Sequence, residues 1–296
     1  MRQPSRLWIR WVSACCAGLL LACQPVWASG SNVVYPAPEQ ADEVRFHDLL
    51  DLLRAALKIT VPQFGPFTLS PSRNGMNEAR SLIELGKGER VNVAWSSTSV
   101  AKEEEFLPIR IPLRKGLLGY RVALIAKEKQ ALIDTVQSTS DLKKITIGQG
   151  IGWGDTHIYQ SNGFNVTEAP YNDLFPLTAN GRFDLFPRGI GEVFDEYAAH
   201  KDHNPNLEIE KHLLVYYPWP YYFFFNKQDT ELKNRIETGL RMMLKDGSFD
   251  ALFKKHHGAA IKQAKLKGRR ILRIKNDLLP PSTPTDPALW FDPTQY

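Results

Sequence analysis

Beyond residue 28 the chain contains no cysteine: Cys15, Cys16 and Cys23 are all three of them. That excludes a disulfide framework, a cysteine-bound metal and a thiol nucleophile from nearly all of the 296-residue chain. Long apolar runs are scarce as well. Trp11–Ala22 and the aromatic block Val215–Phe225 both fall short of the ~20 apolar residues a membrane helix needs, and the second carries Pro218 and Pro220. Excess charge is also missing once Arg2, Arg6 and Arg10 are set aside. Of 37 Lys and Arg, 34 remain to balance 32 Asp and Glu, so the chain offers no case for binding a phosphate backbone.

Catalytic signatures are equally thin. No Gly-x-Ser-x-Gly elbow occurs, and Ser96 has no His or Asp at motif spacing. His200 and His203 lie in a polar stretch, His256 and His257 end a predicted helix, and neither pair makes a closed metal-ligand set. Glu103–Glu105 reads as a solvated charge run. Gly148, Gly150, Gly152 and Gly154 lack the spacing of a dinucleotide fingerprint.

What is present starts with residues 1–28, which have a basic beginning, a short apolar middle and a small-residue exit, the parts of a secretory signal peptide. Val26-Trp27-Ala28 suits cleavage before Ser29 and a soluble periplasmic product. Leu20-Leu21-Ala22-Cys23 resembles a lipobox, which would instead anchor the protein through Cys23. Either exit puts the chain where ATP, nicotinamide pools and nucleic acids are absent, so no cofactor and no nucleic-acid partner is expected.

The pattern then alternates. Asn32–Tyr35 predicts a strand ended by Pro36. Phe46, Leu49, Leu50, Leu53 and Leu57 mark one face of a helix. A strand near Thr68–Ser70, a helix over Asn77–Leu85 and a strand at Val91–Trp95 complete a β-α-β-α-β order, the sign of a mostly parallel α/β sheet. The order repeats from the strongly apolar Tyr120–Ala126, through strands at Ile145–Gln149 and Phe183–Phe186 and a helix at Tyr171–Asn180 kinked by Pro176. Helices Thr230–Lys245 and Ser248–His257, stopped by Gly247 and Gly258, have no sheet of their own and should return to the first unit. The expectation is two lobes, 29–122 plus 219–296 and 123–218, joined by two crossing strands that form a hinge over a cleft. Residues 259–296 would be a C-terminal extension of the first lobe, with an added strand at Arg270–Ile274 and a proline-rich strip carrying Trp290 and Phe291.

In that order, the segments VVYP (33–36), VNVAW with SSTS (91–99), RIPLRKGLLGYRVALI (110–125), SDLKKITIGQG (140–150), NGRFDLFPRG (180–189) and the closing helix pair over 229–258 resemble the bacterial type II periplasmic solute-binding proteins of the family 3, amino-acid type. The resemblance covers roughly residues 32–258. It implies a two-lobed α/β fold without enzymatic activity, which captures a small solute as a monomer and presents it to an inner-membrane ABC permease or a membrane sensor. Lys102 stands where such proteins usually place an Arg that grips the ligand carboxylate, and it lacks the planar fork. Where an Asp usually holds the ligand amino group, Asp184-Leu185-Phe186-Pro187 leads to Arg188. Those departures point to an anionic or modified amino-acid-like ligand.

Candidate ligand contacts follow from strand ends and loops. Tyr35 and Trp95 close predicted strands, where open α/β sheets bind ligands, and Ser96, Ser97 and Thr98 offer hydroxyls just past one of them. Arg110 and Arg114 precede the hinge strand. The Gly-rich loop ahead of Asp155 lets backbone approach a ligand, with Trp153 as a stacking wall and Asp155 as a helix cap. Arg188 is an anion contact at a strand end. Two other readings use the same two-lobed fold: an envelope enzyme, and a scaffold or sensor that works through its aromatic tail.

Overall fold

The computed structural model describes residues 30–38 and 46–295; the expected leader and Cys23 lie outside them. In chain order the first half holds β1 (Ser31–Ala37), α1 (His47–Ile59), α2 (Val61–Phe64), β2 (Phe67–Gly75), α3 (Glu78–Lys87), β3 (Ala94–Ser97), α4 (Val100–Glu105) and β4 (Leu107–Pro108). Then follow β5 (Tyr120–Ala126), α5 (Gln130–Asp134), α6 (Thr139–Leu142), β6 (Thr146–Gly150), α7 (Gly154–Ser161), β7 (Asn165–Ala169), α8 (Tyr171–Ala179), β8 (Phe186–Gly189), α9 (Val193–His200), β9 (Leu207–Ile209) and β10 (Leu213–Tyr216). The chain ends with β11 (Tyr221–Phe225), α10 (Thr230–Asp246), α11 (Ser248–Ala264) and β12 (Arg270–Arg273).

Apolar periodicity sets the first core. Leu49, Leu52, Leu53, Ala56 and Leu57 form the buried stripe of α1. They meet Ile236, Leu240 and Met243 of α10, Val33, Trp95, Phe223 and Phe225 from the strands, and Val93 just before β3. Gly239 lets α10 approach closely, since a Cβ there would lie 2.2 Å from the Ala56 carbonyl oxygen. Parallel β1/β2 and the group β3-β11-β4 are separate pairings. Asn92 joins them: its amide oxygen accepts the Val34 N–H at 2.8 Å and its amide nitrogen donates to the Asn32 carbonyl at 2.7 Å. One side chain thus satisfies backbone groups that a ladder would otherwise pair.

The second core surrounds β5, a strand buried along its whole length and apolar except for Arg121. β5 pairs antiparallel with β8, β9 and β10, while β6 and β7 run parallel to each other and touch β8's approach at Ile147 and Leu185. The sheets are therefore mixed, with β5 and β11 antiparallel to every strand they pair with. Chain passes between the two cores at 113–120 and 216–221. There Leu113 N–H donates to the Tyr221 carbonyl and Tyr217 N–H to that of Gly119, at 3.0 and 3.1 Å. A Cβ on Gly119 would sit 1.9 Å from the Tyr217 carbonyl oxygen, so only glycine admits this crossing.

The C-terminal segment lies elsewhere than its expected place on the first unit. Helix α11 does not stop at Gly258 but runs to Ala264, placing Phe249 in the first core and Phe253, Ile261 and Ala264 in the second. Continued burial on that face outweighs the ~1 kcal/mol that an interior glycine costs relative to alanine. β12 then adds parallel to β10, in the second sheet. The strip after it returns across the crossing. Asn276 donates to the Pro218 carbonyl at 2.9 Å, the Leu278 carbonyl accepts from Val100 N–H at 3.1 Å, and Phe291 N–H donates to the Lys115 carbonyl at 2.7 Å. Phe291 itself is buried edge-on against Tyr120. The kink expected at Pro176 does not end α8, which spans it.

Candidate functional site

Strand β3 delivers Trp95, Ser96 and Ser97 to one edge of the first core, and the helix after it brings up Lys102. Ser99, not the three hydroxyls before it, caps that helix. Ser96 is thereby free to donate to Glu78 Oε1 at 2.5 Å, and Lys102 Nζ donates to Ser96 Oγ at 2.6 Å, the Ser97 carbonyl at 2.8 Å and Glu78 Oε1 at 3.3 Å. Tyr221 O–H takes the other Glu78 oxygen at 2.5 Å. Burial first, and then the Glu78 charge, hold the Tyr221 hydroxyl well above its usual range, so it remains a donor. Thr98 and Arg110 belong to a different cluster, since both bind Glu103, at 2.7 and 2.6 Å.

Aromatic rings line the same edge. Tyr35 stacks on Trp95 at 6.1 Å and Phe46 tilts against it at 5.7 Å. Arg114 lies 5.7 Å from the Phe46 ring and 5.6 Å from that of Tyr221. It grips Asp48 with two bonds of 2.6 and 2.8 Å, and His257 reaches Asp48 from α11 at 3.1 Å. Burial opposes the Asp48 charge, but these partners hold its carboxyl well below the usual carboxylate range.

On the second core, the start of β5, the Gly-rich loop and the end of β8 converge. Arg121 and Asp155 form a buried pair at 2.9 Å. Asp155 therefore serves as a counter-charge and not as the expected helix cap; the N-terminus of α7 has no side-chain cap. Arg188 meets Glu196 through two bonds of 2.6 Å and lies 4.5 Å over the Trp153 ring. Tyr171 O–H donates to Glu196 at 3.0 Å. Glu192 approaches both arginines, Arg188 at 3.4 Å and Arg121 at 3.5 Å, and accepts the Gly189 N–H. Burial would raise its pKa, but the Arg188 and Arg121 charges prevail and bring it down to about 2. The loop glycines make room for indole rings, since a Cβ on Gly150 would lie 2.2 Å from the Trp153 ring and one on Gly154 2.7 Å from Trp219.

The two groups flank the crossing: Arg114 and Tyr221 stand at its first-core end, and Arg121, 5.4 Å from the Tyr217 ring, at its second-core end. The structure thus gathers Tyr35, Trp95, Ser96, Ser97, Lys102 and Arg114 on one side and Trp153 and Arg188 on the other, leaving Thr98 and Arg110 with Glu103. Sequence reasoning missed Phe46, Asp48, Glu78, Glu192, Glu196 and Tyr221. The near balance of 34 cations and 32 acids was the available signal, because buried cations in such a chain must find internal carboxylates. A separate open groove of about 960 Å³ along β1 and β2, lined by Ser70, Arg73, Arg80 and Arg90, includes none of these residues. Among the described residues, no group of three or more His, Cys, Asp or Glu is placed to hold a metal ion.

No protein-family model matches the sequence, and a search of curated proteins finds no match. Solved structures do match in fold. One is the probable amino-acid ABC transporter extracellular-binding protein YtmK from Bacillus subtilis, with a TM-score of 0.56 and 16% identity over 78% of this chain and 99% of that one. Another is an ancestral arginine-binding protein bound to arginine, with a TM-score of 0.50 and 18% identity over 77% and 99% of the two chains. The fold is the two-lobed type II periplasmic binding-protein fold.

Proposed function

We propose that the protein is an exported solute-binding protein, which captures a small amino-acid-like solute between its lobes and presents it to a membrane transporter. The observation that carries this reading is the pair of side-chain groups flanking the crossing segments, Arg114 and Tyr221 at one end and Arg121, Arg188 and Trp153 at the other, with aromatic rings on each side as flat walls. Similarity in fold to extracellular amino-acid-binding proteins of ABC transporters supports the same function and implies a permease partner. Signal-peptide character in residues 1–28 places the work outside the cytoplasm, free in the periplasm or tethered through Cys23. No helix among the described residues is long and apolar enough to cross a membrane.

In this reading the first lobe comprises the core from Val33 to Leu113 with Phe223–Phe249, and the second the core from Leu117 to Tyr217 with the C-terminal segment. Solute would settle against Tyr35 and Trp95, and rotation about 113–120 and 216–221 would bring Trp153, Arg188 and Glu192 over it. The binding energy stabilises the closed state, which is the form a permease would recognise.

Thermal-shift screening of the chain from Ser29 against amino acids, amines, organic acids and sugars tests the proposal. A ligand at 100 times its Kd adds about 2.7 kcal/mol of stability, a readily measured rise in Tm. No shift with any solute class, together with turnover of an envelope substrate, would replace binding with catalysis.

A further inference from the structure

Two crossing segments, 113–120 and 216–221, are what a hinge between lobes requires, and the chain lays a third connection beside them. Its root is fixed in the second core. There β12 pairs with β10 from Leu213 to Tyr216, and Arg269, 7% exposed, donates to the Glu210 side chain and to the Glu210 and Leu213 carbonyls. Beyond β12 the strip is held on α7. Asn162 donates to the Lys275 carbonyl at 2.7 Å, and Asp277 Oδ1 lies 3.2 Å from His157 Nε2.

One residue later the strip reaches the other core. The Leu278 carbonyl accepts the Val100 N–H, the first helical amide of α4, at 3.1 Å, while the Leu278 side chain packs against the second core. Ser282 Oγ donates to Glu103 of the same helix at 3.2 Å. Asn276 binds the crossing itself, donating to the Pro218 carbonyl at 2.9 Å and accepting the Leu278 N–H at 3.1 Å. Helix α4 carries Lys102 and α7 follows Trp153, so the strip ties together elements on which the candidate contacts stand. Pro280, Pro281, Pro284 and Pro287 fix φ along the stretch that follows, which makes the connection stiff. It is seated again on the other crossing segment. A Cβ on Gly116 would lie 2.4 Å from the Trp290 ring, and Phe291 N–H donates to the Lys115 carbonyl at 2.7 Å.

We propose that residues 275–291 form a stay across the hinge, a third connection that narrows the range of angles the two lobes can adopt. The inference rests on the solute-binding reading for its hinge and adds a restraint to it. Rotation that separates α4 from α7 must break the Leu278–Val100 bond or pull Asp277 from His157, because residues 277 and 278 are adjacent and the chain between them cannot lengthen. Bonds that a rotation must break favour the arrangement in which they are made. The stay therefore meets part of the ordering cost of binding before any solute arrives.

Pulsed electron–electron resonance between spin labels at Ile83→Cys and Leu132→Cys, in the chain from Ser29 and without solute, tests the stay. Val100→Pro deletes the N–H that binds Leu278. Proline suits the first position of a helix, and Ser99 before it is already extended, at φ −154° and ψ 165°. Asp277→Ala with Ser282→Ala removes the contacts to His157 and Glu103 at exposed positions. Melting curves check that each variant folds, and the alanine pair serves alone if Val100→Pro does not. Releasing the stay should broaden the distance distribution, most of all in the triple variant. Val100→Ala, which keeps the N–H, should leave it as in wild type. Equal widths for wild type and the released variants would overturn the stay, and so would broadening by Val100→Ala equal to that by Val100→Pro. Because the comparison is made without solute, the solute screen decides the parent reading separately.

Discussion

Replacing Asp155 with asparagine removes the counter-charge of a guanidinium at the root of the cleft, and the cost can be worked from the burial around it. Arg121 is 5% exposed and Asp155 8%, and the Arg121 Nε has no hydrogen-bond partner. The remaining support is the Tyr217 ring at 5.4 Å and Glu192 at 3.5 Å. Breaking a buried pair by removing one partner costs about 3–5 kcal/mol, because the other charge stays desolvated. At 2–4 °C per kcal/mol for chains near this size, Asp155→Asn should lower Tm by roughly 6–20 °C in scanning calorimetry. The double variant Arg121→Met/Asp155→Leu removes both charges and should recover to within about 1 kcal/mol of wild type or better. A single-variant cost below about 1 kcal/mol, or a double variant as unstable as the single, would show that the pair is solvated and that the reasoning from burial is wrong.

Other expectations follow from the same geometry. Glu192 has its pKa lowered from 4.5 to about 2, so its contribution is complete above pH 4.5 and is lost as pH falls toward 2; melting curves over that range should show a smaller acid loss in Glu192→Gln than in wild type. Phe291→Ala empties a buried site against Tyr120 and Phe253 and should cost about 3–5 kcal/mol in urea unfolding; a change within 0.5 kcal/mol would mean the C-terminal strip is not part of the second core. Gly119→Ala forces a Cβ against the Tyr217 carbonyl at the lobe crossing and should cost at least ~1–3 kcal/mol, since overpacking there moves backbone; normal stability would imply that the crossing relaxes freely.

Much of the architecture was legible because local patterning and tertiary demand agree. The α1 stripe, the buried β5 with Arg121 as its one charge and the order of the early strands all follow from period and burial. Disagreements have identifiable causes. Gly258 reads as a stop, yet α11 continues because its far end is buried in the second lobe. The Arg270–Ile274 strand was visible as a strand, but which sheet it would join was not, since partner choice depends on edges exposed only after folding. The site was legible by residue type and not by pairing. Lys102, Arg114 and Arg188 looked like ligand contacts because their carboxylates are remote in sequence or ordinary in context: Glu78 lies on another helix, Asp48 sits 66 residues before Arg114, and Glu196 reads as helix surface. Asp155 stands next to a predicted helix start, where capping is the default local expectation, and only the fold reveals Arg121 behind it.

The central claim is that two lobes close on a solute, and distance measurement between them tests it most directly. The chain after residue 28 has no cysteine, so cysteines introduced at exposed Ile83 on the first lobe and Leu132 on the second would be the only sites for spin labels in the chain from Ser29. Pulsed electron–electron resonance should show a shorter and narrower distance distribution once the most strongly stabilising solute of the thermal screen is added. An identical distribution with and without that solute, at concentrations where calorimetry shows saturation, would contradict closure of the lobes around a ligand.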